Sequence, residues 1–322
     1  MGILRTGKIL AGVIGAGSAA VGLVFYEVMN RRARAPKVIG DAWWKLHKAP
    51  DDASAVADEN GELRDVRGEW FDKQDPQEID IVSSRGMRLR GYLYPAEEHS
   101  DVFVFCAHGY RSTGKNEFRQ YVKHYHDKGF NVLLVDHQAH GESEGTLISF
   151  GYYESRDSID WLKYLIDIYG ADIKIILHGV SMGAATVMMM SGSDDLPANV
   201  ICTVSDCGFT TMKEEFSHNL TGAHVPPALL IPTTNVFNKA LSGFDYEEVS
   251  PVDSVKHSKV PILFVHGAKD DFVPTGMVYS LYEACSAEKD LLIVEGADHA
   301  QSYATNPDLY DSKLDEFIGK YL

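Results

Sequence analysis

The feature that most constrains the fold of this chain is an alternation of buried strands and amphipathic helices that begins near residue 77. Two runs flank the turn dipeptide Arg85-Gly86 and indicate a β-hairpin, 77–84 and 87–94. Six further apolar runs have the length of buried strands: 102–107, 131–135, 173–177, 200–204, 261–265 and 291–294. Helical patterns lie between or after them, near 116–128, 153–169, 183–190, 275–284 and 308–322. The alternation predicts an α/β domain over 77–322, with a mostly parallel eight-stranded sheet covered by helices on both faces.

A serine motif follows one of these strands. Gly179-Val180-Ser181-Met182-Gly183 has the form GxSxG and stands between the strand 173–177 and a helical run. A sharp strand-to-helix turn needs glycines because its backbone is strained and crowded, and it lifts the serine hydroxyl clear of the sheet. The following helix directs its N-terminal amides toward a developing oxyanion. We therefore predict Ser181 as a nucleophile and the backbone N–H of Met182 as an oxyanion donor.

A second motif follows the strand 102–107. The sequence His108-Gly109-Tyr110-Arg111-Ser112 places a glycine turn where this chain order can supply the other oxyanion amide. We assign that role to the backbone N–H of Tyr110. The alternative is an ordinary glycine turn with no catalytic role.

The candidate acid and base also stand at strand ends. Asp270 follows the strand 261–265 and could orient a histidine, while the adjacent Asp271 is predicted to cap the following turn. Asp206, after the strand 200–204, is a weaker alternative for the acid. His299 follows the strand 291–294 and completes the chain order Ser181, Asp270, His299, which is that of a hydrolase triad.

From residue 77 onward the chain resembles the α/β-hydrolases of the serine aminopeptidase-like group, in particular membrane-bound cell-surface hydrolases of Gram-positive bacteria. The matching stretches are 104–109, the Ser181 turn, 206–209, the Asp270 loop and 296–299. The loop 136–145 resembles the family's D-x-R-G-H-G-x-S-x-G motif but has Gln138 for Arg and Ala139 for Gly, which we expect to affect the rim of the site. The resemblance implies acyl-enzyme chemistry without a metal or organic cofactor, and a small cap insertion over about 209–246.

The N-terminus departs from globular composition. Residues 9–26 carry no charge, and basic residues flank the stretch, so a transmembrane helix is predicted over 9–29 after a tail of 1–8. Small residues recur every fourth position, at Gly12, Ala16 and Ala20, as in membrane helices that pack closely. One alternative is a signal peptide cleaved after Ala35. The GxGxxA match at 15–20 lacks the βαβ unit of a dinucleotide site. Polar residues 30–76 are predicted to form a tether.

Composition excludes some functions. With 30 basic and 46 acidic residues the chain carries a net charge of −16, which disfavours nucleic acid as a partner. Its 4 cysteines are too few for a disulfide scaffold, and no spacing suggests a structural zinc site.

These observations predict a single-pass membrane-anchored serine hydrolase that cleaves an ester, a thioester, or an amide or peptide bond. Its substrate would be a small-molecule or peptide acyl compound, which family resemblance does not narrow further. The alternative is a catalytically inactive hydrolase fold that serves as a membrane-tethered binding module. The side of the membrane on which the domain lies stays open.

Overall fold

An eight-stranded sheet forms the centre of the fold. The computed structural model describes residues 19–32, 56–57 and 63–322. The sheet strands are β3 (Gln77–Val82), β4 (Arg88–Tyr94), β5 (Val102–Ala107), β6 (Asn131–Val135), β7 (Lys174–Val180), β8 (Val200–Asp206), β9 (Ile262–Gly267) and β10 (Lys289–Val294). Their spatial order is β10-β9-β8-β7-β5-β6-β4-β3. Only the pairs β3–β4 and β4–β6 are antiparallel in this sheet, so the predicted mostly parallel eight-stranded sheet is confirmed.

Helices cover both faces of the sheet. Residues 19–30 are helical and are labelled α1. The others are α2 (Val66–Phe71), α3 (Gly114–Phe118), α4 (Val122–Asp127), α5 (Tyr152–Tyr169), α6 (Met182–Ser191), α7 (Met212–Gly222), α8 (Pro227–Ser242), α9 (Pro251–Val255), α10 (Gly276–Ala284), α11 (Ser302–Thr305) and α12 (Pro307–Ile318). Alternate side chains of β5 enter the two cores: Phe103 and Phe105 pack in one, Val104 and Cys106 in the other. Strands buried on both faces therefore appear in the sequence as unbroken apolar runs.

The connection of the central strands determines where a site can form. Strand β5 lies between β6 and β7, and the chain passes from β5 first to β6 and then, through α5, back to β7. The strand order reverses at this point, which opens a crevice beyond the carboxyl ends of β5 and β7. The motifs at His108 and Ser181 both lie at these ends.

A helical insertion between β8 and β9 covers the crevice. Helices α7 and α8 pack through an aromatic cluster that includes Phe216, Tyr246 and Phe150. The ring of Phe216 meets those of Phe150 and Tyr246 edge-on, at centroid distances of 5.3 and 5.2 Å. Pro227 is the first residue of α8, where the missing N–H costs no helical hydrogen bond. The prolines that interrupt the strand–helix alternation thus belong to the predicted cap.

The N-terminal prediction is not supported by the described residues. No helix among them is long and apolar enough to cross a membrane. The second half of the predicted span is part of α1, and α1 packs against the cap, with Tyr26 and Asn30 fully buried. The physical reason is that an apolar helix can bury its side chains against protein as well as against lipid. Residues 9–18 of the predicted span lie outside the described residues.

The predicted tether also contains ordered structure. Strands β1 (Val56–Ala57) and β2 (Leu63–Arg64) form a separate antiparallel pair. Helix α2 begins at Asp65, whose carboxylate accepts the N–H of Gly68 at 2.9 Å. Asp65 and Asp72 both pair with Arg119, which fixes α2 on the domain. All four cysteines are buried and free, as expected for small core residues.

Candidate active site

Ser181 lies in the turn between β7 and α6 with a strained backbone. Its φ and ψ are 56° and −116°, a region that costs a non-glycine residue about 1–3 kcal/mol. The flanking glycines are required because a Cβ on Gly179 would lie 2.1 Å from the carbonyl oxygen of Gly183. A Cβ on Gly183 would lie 1.8 Å from the carbonyl oxygen of Ala107 on β5. The turn therefore fits only against the end of the neighbouring strand.

Three side chains from separate strand ends form one hydrogen-bonded chain. The Oγ of Ser181 lies 2.9 Å from Nε2 of His299, and Nδ1 of His299 lies 2.8 Å from Oδ2 of Asp270. The aromatic ring of Phe272 packs against the imidazole at a centroid distance of 4.7 Å. The structure brings together the three residues predicted as nucleophile, acid and base. A neutral imidazole in this position can accept the serine proton while the carboxylate holds its tautomer.

The carboxylate of Asp270 is held in its ionised form. Burial alone would raise the pKa of Asp270, but the charge of His299 and hydrogen bonds from His266 and His299 outweigh burial and lower the pKa to about 2. Its Oδ1 accepts the backbone N–H groups of Phe272 and Val273 at 3.0 and 2.8 Å. Asp270 thus stays negatively charged beside the imidazole over the physiological range.

These contacts correct the prediction for Asp271. We expected Asp271 to cap the turn, but Oδ1 of Asp270 accepts the turn's N–H groups, and the Asp271 side chain is exposed. Asp206 is buried beneath the site, and the hydroxyl of Tyr310 donates to its Oδ2 at 3.0 Å. Burial raises the pKa of Asp206 to about 6. Its carbonyl oxygen accepts the N–H of Ser181 at 2.8 Å, which gives Asp206 a place in the support of the turn.

The two amides predicted as oxyanion donors flank the serine. Met182 is the first residue of α6, so its N–H points out of the helix N-terminus beside Ser181. Tyr110 belongs to the loop after β5, which approaches closely: a Cβ on Gly109 would lie 3.3 Å from Cβ of Ser181. In the described part of the chain, neither amide donates a hydrogen bond to another protein group. Both are therefore free to bind an oxygen atom of a substrate.

The loop 136–145 supports the site from behind. We expected it to shape the rim, but none of its residues lines the pocket that contains Ser181. Instead, Nε2 of His140 accepts the N–H of Arg111 at 3.1 Å, and Nε2 of His108 accepts the N–H of His137 at 3.1 Å. Burial lowers the pKa of His108 to about 4, so it is a neutral structural residue. The loop braces the segment that carries Tyr110.

Ser181 opens into an apolar pocket under the cap that contains about 610 Å³ of atom-free space, part of it open to solvent. Its polar lining residues are Ser181, Glu215 and Asn219. The apolar lining residues are Phe25, Met29, Tyr110, Phe150, Met182, Phe209, Met212, Phe216, Leu220, Ala223, Phe272 and Val273. The sequence analysis missed Phe25, Met29 and Glu215. A signal was present for α1, because Gly22, Tyr26 and Asn30 recur at helical spacing.

One group in the site has the spacing of metal ligands. Cys207, Asp270 and His299 each place a ligand atom within 4.8 Å of the others. However, burial raises the pKa of the Cys207 thiol well above its usual range, and only the thiolate binds metals well. The Nδ1 atom of His299 is already bonded to Asp270. The arrangement therefore suits proton transfer better than metal binding.

The fold and site define this protein as an α/β-hydrolase. The chain belongs to the prolyl oligopeptidase family, whose model matches residues 116–322. It is 30% identical over 251 residues to the protein YqkD of Bacillus subtilis (strain 168), a match that covers 78% of this chain and 81% of that protein. The matched family segment includes all three residues of the Ser181–His299–Asp270 chain.

Solved structures with the same fold include enzymes of two kinds. The esterase Pf2001 of Pyrococcus furiosus superposes with a TM-score of 0.63 at 21% identity, covering 85% of this chain and 99% of that one. The proline iminopeptidase of Mycobacterium smegmatis has a TM-score of 0.57 at 11% identity, covering 76% and 98%. At these identities the likeness establishes the fold and leaves the substrate open.

Proposed function

We propose that this protein is a serine hydrolase that cleaves an ester, thioester or amide bond through an acyl-enzyme on Ser181. The observation that carries the proposal is the hydrogen-bonded chain from Asp270 through His299 to Ser181, with distances of 2.8 and 2.9 Å. The strained backbone of Ser181 supports it further, because such strain is retained where the surrounding structure and the function require it.

The geometry suggests each step of the reaction. The Oγ of Ser181 attacks the substrate carbonyl carbon while Nε2 of His299 takes the hydroxyl proton, and the N–H groups of Tyr110 and Met182 bind the oxyanion. The tetrahedral intermediate collapses when the leaving group departs with the proton from His299. A water molecule, deprotonated by His299, then attacks the acyl-enzyme and releases the acid. Asp270 stabilises the imidazolium in both steps.

A fluorophosphonate probe tests this proposal directly. We expect intact-mass analysis to find one probe adduct on the wild type and none on Ser181→Ala. Ser280→Ala, which changes an exposed helical serine, should be labelled like the wild type. A wild type that is not labelled, or equal labelling of Ser181→Ala, would overturn the proposal in favour of an inactive binding module.

We also propose that the chain attaches to a cell membrane through residues before 19. The sequence of 9–18 is apolar, whereas Tyr26 and Asn30 are buried against the cap and are not free to meet lipid. Cell fractionation tests this. The full chain should sediment with membranes, and replacing Val13 and Ile14 by Asp should release it while Ser181 remains reactive. Recovery of the unmodified chain outside the membrane fraction would refute the proposal.

A further inference from the structure

Helix α1 forms part of the pocket wall around Ser181, although its sequence predicted a membrane span. We propose that α1 is a wall of the acyl-binding site and that Phe25 and Met29 select apolar acyl groups of medium length, aliphatic or aromatic. This inference rests on the proposed serine hydrolase function and names its substrate class. It assigns a role in substrate selection to a segment that lies far from the catalytic residues in the sequence.

The burial pattern of α1 indicates a defined docking face. Gly22, Tyr26 and Asn30, four residues apart, are buried, whereas Val21 and Val24 are more than half exposed. This is the one-sided pattern of a helix packed on a protein. A Cβ on Gly22 would lie 3.0 Å from Cβ of Thr233, so the absent side chain allows α1 to approach α8 closely.

Polar contacts fix the register of this docking. The hydroxyl groups of Tyr26 and Ser242 lie 2.7 Å apart. The amide of Asn30 donates to the Ile148 carbonyl at 3.2 Å and to Asn238 at 3.1 Å, and its oxygen accepts the hydroxyl of Tyr246 at 2.6 Å. Leaving a buried polar group unpaired costs about 1–3 kcal/mol, so a shifted helix would lose this whole network.

The docked helix reaches the catalytic side of the domain. The hydroxyl of Tyr110 donates to the carbonyl oxygen of Met29 at 2.8 Å, which joins the last turn of α1 to the loop after β5. The ring of Phe25 meets that of Phe216 edge-on at a centroid distance of 5.7 Å. Phe25 and Met29 thereby line the same pocket as Ser181.

The polar residues of the pocket offer little to a charged substrate. The amide of Asn219 is bonded to Oε1 of Glu215 at 2.7 Å and to the carbonyl of Phe272 at 3.1 Å. Burial, and then the nearby charge of Asp270, raise the pKa of Glu215 well above its usual range, so this carboxyl is neutral at pH 7. A substrate ammonium would find no counter-charge there. The pocket therefore suits the acyl part of an ester or thioester better than an aminoacyl group.

Substitutions on the two faces of α1 test the inference in the full chain. Phe25→Trp and Phe25→Ala change the pocket wall, and Val24→Trp and Val24→Ala make the same changes on the exposed face. The assay is kcat/KM for p-nitrophenyl acetate, butyrate and octanoate, beside aminoacyl p-nitroanilides. Labelling of Ser181 by a small ethyl fluorophosphonate reports in parallel whether the catalytic residues remain assembled.

We expect the wild type to prefer the longer acyl esters over acetate and over aminoacyl substrates. Phe25→Trp should lower the octanoate-to-acetate ratio about tenfold or more, since single methylenes are worth that much in a filled pocket. Phe25→Ala should shift the optimum toward longer chains, and both Val24 variants should match the wild type. Equal ratios for the Phe25 and Val24 variants, or a preference for aminoacyl substrates, would overturn the inference while labelling of Ser181 still upheld the hydrolase. An unlabelled wild type would overturn the proposed function itself, and the inference with it.

Discussion

The exchange of Asp270 for Asn tests the assignment of the acid most sharply, because the shape of the side chain is kept and its charge is removed. The Oδ1 atom can still accept the N–H groups of Phe272 and Val273, so the turn should keep its form. The amide that replaces Oδ2, however, would face Nδ1 of His299 as a donor. The imidazole would then be held in the wrong tautomer and would lose its stabilisation as imidazolium. On this basis we expect kcat/KM to fall by about 10⁴-fold.

The same substitution has a stability signature with a definite sign. The pKa of Asp270 is lowered from 3.8 to about 2, which at about 1.4 kcal/mol per pH unit corresponds to roughly 2 kcal/mol. Because the pKa is lowered by folding, this contribution is present above the unfolded-state value of 3.8. It is lost as the pH falls toward 2. The free-energy difference between wild type and Asp270→Asn should therefore shrink by about that amount between pH 5 and pH 2.

The assay compares three substitutions of one kind. Hydrolysis of a p-nitrophenyl ester and the rate of fluorophosphonate labelling give activity, and urea unfolding at each pH gives stability. Asp271→Asn is the matched control, since its side chain is exposed, and it should change kcat/KM by less than about twofold. Asp206→Asn should keep most of the activity. If Asp270→Asn lost less than about tenfold, or if Asp206→Asn lost more than Asp270→Asn, the assigned acid would be wrong.

Three further substitutions test other parts of the structure. Gly183→Ala should abolish soluble expression or labelling of the nucleophile, because its Cβ would lie 1.8 Å from a strand carbonyl; a folded, active variant would refute the tight packing. Glu215→Gln should gain stability relative to wild type above pH 4.5, by up to about 1.4 kcal/mol per pH unit, because the wild-type carboxyl must take up a proton to fold; pH-independent urea midpoint differences would contradict this. Arg85→Gln should destabilise by about 2–4 kcal/mol by leaving buried Asp157 unpaired, and adding Gln138→Arg should restore part of the loss; strictly additive unfolding energies would argue against the shared contact.

The sheet was predictable because its strands are buried on both faces. Their apolar runs are unbroken, and the predicted and observed limits differ by at most three residues. The differences arise at the motifs themselves: β7 continues through Gly179 and Val180, and β8 through Asp206, where the two strands still pair. Glycine is disfavoured in strands, so the sequence indicated an earlier end. The close approach of Gly183 explains why a glycine stands there.

The partners within the site were predictable from chain order alone, since parallel strands bring their carboxyl ends to one edge. The role of α1 was not. Between 19 and 30 the exposed positions, such as Val21 and Val24, are as apolar as the buried ones, so no moment separates a lipid-facing helix from a docked one. The distinguishing residues are the polar Asn30 and the hydroxyl of Tyr26, whose hydrogen bonds need partners on the cap. Those partners lie more than two hundred residues away, where a local pattern carries no information.

The loop 136–145 shows how a family motif can change without loss of its geometry. The carboxylate of Asp136 accepts the N–H of Gly114 at 3.0 Å through Oδ1 and that of Glu142 at 3.0 Å through Oδ2. A Cβ on Gly141 would lie 1.9 Å from Oδ2, so both motif positions are needed together. The two positions that depart from the motif lie outside this hub. Ala139 adopts the left-handed φ of 63° that a glycine would occupy, at a cost of about 1–2 kcal/mol.

The other departure has a replacement elsewhere in the chain. Where the family has Arg, the Gln138 oxygen accepts a hydrogen bond of 3.0 Å from Arg85 in the first hairpin turn, and Arg85 also pairs with Asp157 at 2.9 Å. The guanidinium group is thus retained in space although it comes from a different strand connection. A residue-by-residue reading of the motif marks position 138 as a loss, whereas the structure shows the same charge supplied by residue 85. Motif departures in this family are therefore best judged by whether a neighbouring element restores the missing contact.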